Sequence, residues 1–107
     1  MLYPAASIER DFRYVANHPI ADAYRAYDKM PYDRPTWDLT AALYAVRPDR
    51  GYFSLSPPGR IEAGADGRTR FTPSPAGRHR YLTIDAAQRT RTLEAMIELA
   101  SQPPKKR

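Results

Sequence analysis

The stretch NHPIADAYRAYDKMP, residues 17–31, sets Ile20, Tyr24 and Tyr27 at i, i+4 and i+7, with Asp22, Arg25 and Lys29 between them. Apolar positions at that spacing fall on one face of a helix. Proline suits a first helical turn and breaks a helix interior, so Pro19 and Pro31 bracket the element. An amphipathic helix is predicted over about 18–29. The next stretch, PYDRP (31–35), holds two prolines and reads as a stiff connector, because the residue before each proline is pushed out of the helical region. From Leu39 to Val46 the chain is almost wholly apolar. A second helix is predicted over 36–46, capped by Thr36 or Asp33 and buried on most sides. RPDRG (47–51) ends it, with Pro48 as breaker and Gly51 as turn residue.

Earlier in the chain, SIERDF (7–12) predicts a helix start with Ser7 as cap. Between 52 and 84 the pattern changes. YFSLS, RIEA, RTRF and HRYLTI are short and β-leaning, and PPG, GADG and PSPAG separate them with turn chemistry. GADG is placed to close a hairpin between 60–63 and 68–71. A last helix is predicted over 86–101. Asp85 with Gln88 three residues on forms a capping box, and Leu93, Met96, Ile97 and Ala100 make the buried stripe. Pro103 and Pro104 stop it, and 103–107 is expected to be a disordered basic tail. The fold class is α/β, with 1–102 as one unit.

Composition qualifies this outline. Leu, Ile, Val and Phe supply 17 of 107 residues, a fraction of about 16%, below the roughly 20% at which self-sufficient folding becomes doubtful. A helix as apolar as 39–46 needs cover on several sides, and the other predicted elements hardly supply it. The chain is therefore expected to be incomplete alone, with its core finished by another layer. There is no cysteine, which excludes disulfides and thiolate metal sites. No apolar run approaches a membrane span of roughly 18 residues, and no signal-peptide pattern opens the chain. A cytoplasmic location is expected, unless a segment preceding these residues carries a leader. The net charge of +5 lies wholly in residues 51–107; residues 1–50 are neutral.

Asp38 opens the apolar helix beside the only tryptophan, Trp37. An aspartate in a first turn meets the positive end of the helix dipole. The same carboxylate could also ligate a metal or act at a pocket rim, with Arg34 as a structural partner. Trp37 could stack on a ligand or fill a core. Tyr24 and Tyr27 are core or pocket wall. His18 and His79 have no second His, Asp or Glu at metal spacing and read as structural. Arg68, Arg70, Arg78 and Arg80 alternate along strand-like runs and could grip phosphates. That defines an alternative function, a small basic module for nucleic acid or another polyanion, although nucleic acid is not the expected partner.

HPIADAYRAYDKMPYDRPTWDLTAALYAVRPDRGYF (18–53) resembles the C-terminal part of nucleoside hydrolases of the inosine/uridine-preferring type. The likeness extends more loosely from YPAASIERDF to YLTIDAAQRTRTLEAMIELASQPP, nearly the whole chain. Its most specific part is PTWDLTAALYAVRP. Family members open a late apolar helix with an aspartate, usually after a histidine; Trp37-Asp38 stand at that His-Asp pair.

The resemblance implies an α/β protein with a mostly parallel central sheet that hydrolyses the N-glycosidic bond of ribonucleosides with calcium. Asp38 would be the late calcium ligand, while Trp37, Tyr24 and Tyr27 would contact the nucleoside or a related ribosyl substrate. Calcium takes six to eight oxygen ligands. The family's other carboxylates come from a D-x-D-x-x-x-D-D cluster, and no two of the eight aspartates here have D-x-D spacing. Trp37 cannot protonate a leaving base as the histidine does. The chain is therefore expected to be a C-terminal segment, inactive alone, whose partners are an N-terminal half or further copies of itself. A structural subunit docking on a separate half is the remaining alternative.

Overall fold

The computed structural model describes residues 1–103 and 105. Three of its four α-helices begin where a side chain accepts a free N–H. Helix α1 (Ala5–Asp11) has no cap of its own, and Asp33 Oδ1 accepts the Ala5 N–H from across the chain at 2.9 Å. Helix α2 (Pro19–Tyr27) starts with proline at its first position, and the His18 ring supplies the cap. Helix α3 (Trp37–Val46) follows Thr36 and has no side-chain cap. A 3-10 turn (Pro48–Arg50) then ends at Gly51. Helix α4 (Ala86–Ala100) carries the capping box: Asp85 accepts from Gln88 N at 2.7 Å, and Gln88 Oε1 accepts from Asp85 N at 3.0 Å.

The strands are short, and among the described residues they pair antiparallel. β1 (Leu2–Tyr3) pairs with β2 (Arg34–Pro35), closing the N-terminus onto the connector. β3 (Ser54–Leu55) pairs with β6 (Leu82–Thr83). β4 (Gly59–Ala63) and β5 (Thr69–Pro73) form a hairpin with Ile61 opposite Phe71 and Glu62 opposite Arg70. Its turn is GADG: Gly64 N donates to Arg68 O, and Gly67 adopts φ +76, a conformation that favours glycine. Gly59 also bridges to His79, and a Cβ at Gly77 would run into the Gly59 carbonyl, so only glycine fits that crossing.

The core is small. Tyr3, Ile8, Phe12, Ala21, Leu43, Ala95 and Met96 are buried together, drawn from β1, α1, α2, α3 and α4. Phe12 meets the His18 ring edge-on, with centroids 4.7 Å apart. His18 Nδ1 accepts from Ile20 N, so Nε2 carries the proton and donates to Gln102 O at 3.1 Å. His18 thus ties the start of α2 to the chain after α4.

Helix and strand types follow the sequence pattern: three helices within two residues of the predicted ends, and short strands within 52–84. Four expectations are corrected. Ser7 does not cap a helix; it lies inside α1, buried, with its hydroxyl 2.7 Å from Tyr3 Oη. Asp33 caps α1 and not α3, while Thr36 Oγ1 donates to Met1 O. The parallel central sheet implied by the resemblance is not found among the described residues, whose strand pairs are all antiparallel. Parallel neighbours need a crossover of about a dozen residues, whereas β4 and β5 are joined by a tight turn.

The largest correction concerns α3. It is not buried on most sides: only Leu43 is buried, and Val46 is 73% exposed. The other helices touch α3 along one edge, which leaves the rest of its apolar surface open. The tail predicted for 103–107 falls mostly outside the described residues. No described helix is long and apolar enough to cross a membrane.

Candidate functional site

Trp37 and Asp38 occupy the first turn of α3, where the chain leaves β2. Proline at 35 holds the preceding backbone extended, and Thr36 is pinned through its N–H and hydroxyl to Met1 O. The two side chains therefore project from an anchored helix start. Trp37 is 70% exposed, so it is not the core filler that a lone tryptophan usually is. Asp38 is exposed and makes no hydrogen bond or ion pair among the described residues.

Arg34 does not partner Asp38. Its guanidinium lies 4.1 Å from the centroid of the Tyr27 ring, a cation–π contact. Tyr24 and Tyr32 stack with centroids 5.5 Å apart, and Tyr32 donates to the Tyr24 carbonyl at 2.6 Å. With Ala23 these residues line a shallow pocket of about 190 Å³. Burial first, then Tyr32, pushes the Tyr24 phenol above its ordinary range. Tyr24 and Tyr27 are thus brought together as a pocket wall, but Trp37 and Asp38 do not line that pocket. Tyr32 and Arg34 complete it and were not among the predicted site residues. The signal was present in PYDRP, since a tyrosine held between two prolines is fixed in place.

The described residues include no group of three His, Asp or Glu side chains able to hold a metal ion. Asp38 is a single carboxylate and does not by itself fit a calcium site.

The basic residues are dispersed. Arg68 lies 3.9 Å from Asp66, Arg70 faces Glu62 across the hairpin, and Arg80 donates to Ser56 O at 2.8 Å. Arg78 and Arg60 share a shallow depression with Glu62 and His79. Acids interrupt the arginines, so the hairpin is not a continuous cationic face. His79 Nδ1 accepts from Ile61 N at 2.9 Å, satisfying an outward-facing strand N–H.

Beside the site, Ile20, Leu39, Leu43, Val46, Met96 and Leu99 line an open apolar groove of about 330 Å³ between α3 and α4. No family model, curated protein or solved structure matches the chain.

Proposed function

We propose that this chain is a segment of a nucleoside-hydrolase-like protein that contributes Asp38 and Trp37 to a site for cleaving the N-glycosidic bond of ribonucleosides. The observation that carries this reading is the Asp38 carboxylate, exposed and unpaired among the described residues, at an anchored helix start next to an exposed indole. A carboxylate held out with no partner among the described residues is available to a ligand. The indole offers a face on which a nucleobase can stack, and the Tyr24–Tyr27 wall offers further aromatic surface. Calcium belongs to this reading only if other carboxylates, from outside these 107 residues, join Asp38. No catalytic acid is present at Trp37, so a leaving base that needs protonation requires a donor elsewhere.

The test uses the 107-residue chain with inosine and uridine in the presence of calcium. No turnover is expected from the chain alone. Turnover is expected when it is mixed with the N-terminal half of an inosine/uridine-preferring nucleoside hydrolase bearing D-x-D-x-x-x-D-D, and should be lost with Asp38→Asn. Hydrolysis by the chain alone, or complementation indifferent to Asp38→Asn, removes the reading.

A further inference from the structure

We propose that the exposed face of α3 is a homodimer interface, in which α3 of one copy packs antiparallel against α3 of a second copy. The face is apolar and open. Ala41, Ala42 and Ala45 are exposed along it, and Leu39, Val46 and Ile20 stay 49%, 73% and 37% accessible. Counted with Leu99, these residues leave at most roughly 500 Å² of surface per copy, so a pair buries up to about 1,000 Å², the lower bound for a specific interface. A patch of that size lies at the upper end of what monomers leave exposed, where such patches often mark interaction sites. The small side chain of Ala42 lets two helices approach to about 8 Å, and Leu39 and Val46 flank it along the groove.

Charge selects the second copy and its direction. Asp38 is the only charged residue within α3 and sits at its start. Arg47 and Arg50, with Asp49 between them, follow its end, and none of these four side chains is paired among the described residues. One end of the helix is thus net negative and the other net positive, about 14 Å apart at 1.5 Å per residue. Antiparallel packing sets each negative end near the positive end of the other copy and opposes the helix dipoles; parallel packing sets like ends together. The inference does not rest on the proposed function. A second copy covers the face that a carboxylate-bearing segment would approach, so the dimer is the form of the chain by itself.

Sedimentation equilibrium of the 107-residue chain at physiological ionic strength is expected to give twice the 12.2 kDa of one chain. Ala42→Glu, at an exposed helix position, should give the single-chain mass with an unchanged far-ultraviolet circular dichroism spectrum. Asp38→Arg should weaken dimerisation about tenfold, two symmetric contacts being affected at once, and adding Arg47→Asp and Arg50→Asp should restore it. A wild-type chain that stays single, or forms mixed larger species, overturns the proposal. So does an Ala42→Glu variant that still dimerises, or a charge swap that recovers nothing.

Discussion

Asp33 accepts the backbone N–H of Ala5 at 2.9 Å, so the connector before α3 caps a helix that begins 28 residues earlier. The capping aspartate is not next to the helix it serves. Pro4, at the local cap position, has no side-chain acceptor to offer. Asp33→Ala should therefore cost about 1 kcal/mol, the usual worth of a helix cap. Asp33→Asn, which keeps the acceptor oxygen, should cost clearly less. Urea unfolding followed by circular dichroism measures both; equal losses would mean that charge and not the hydrogen bond matters.

His18 holds two segments with one ring. Replacing it with alanine removes the cap of α2 and the bond to Gln102 O, a combined loss of about 2–3 kcal/mol. His18→Asn can still cap Ile20 N but cannot reach Gln102 in the same way, so it should fall between alanine and wild type. The same unfolding assay ranks the three.

Helix α3 should respond to truncation on one side only. Leu43→Ala opens a cavity in the core and should cost about 2–4 kcal/mol. Val46→Ala, on the open side, should stay within about 0.5 kcal/mol when measured at concentrations where the chain is single. Equal losses at the two positions would mean that the outer face is covered within the single chain.

Burial, the largest cause, raises the pKa of Tyr3, and its hydroxyl lies 2.7 Å from Ser7 Oγ. Below a pH of about 10, the ordinary tyrosine value, the phenol is neutral in both folded and unfolded chains and its contribution is complete. Above that, the unfolded chain loses its proton first, so stability falls as pH rises through the folded value. Tyr24, also raised, acts in the same direction. Tyr3→Phe should cost about 1 kcal/mol at neutral pH and make the alkaline fall shallower, and Tyr3→Phe with Tyr24→Phe shallower still. Unfolding free energy measured from pH 7 to 11 checks this; an unchanged alkaline slope in the double variant would contradict it.

The helices were legible in the sequence because their signals are local. The i, i+4, i+7 spacing of Ile20, Tyr24 and Tyr27, the Asp85–Gln88 box and the prolines at 19 and 31 act within one or two turns. The hairpin at GADG was legible for the same reason: Gly67 supplies the positive φ that its turn requires. For the candidate site, sequence brought Trp37, Asp38, Tyr24 and Tyr27 forward through residue type and resemblance. It did not reveal that Arg34 turns to Tyr27 and leaves Asp38 unpaired among the described residues.

What only the tertiary structure decided was which surfaces meet. Asp33 serves α1, Ser7 bonds Tyr3 inside the core, and His18 reaches Gln102, each through a contact between residues distant in sequence or unexpected in role. Composition marked α3 as apolar, but apolarity states a preference for burial and cannot say whether a neighbour is present to satisfy it. Burial depends on the shapes and positions of all the other elements at once. In this chain they cover Leu43 and leave Val46 in water.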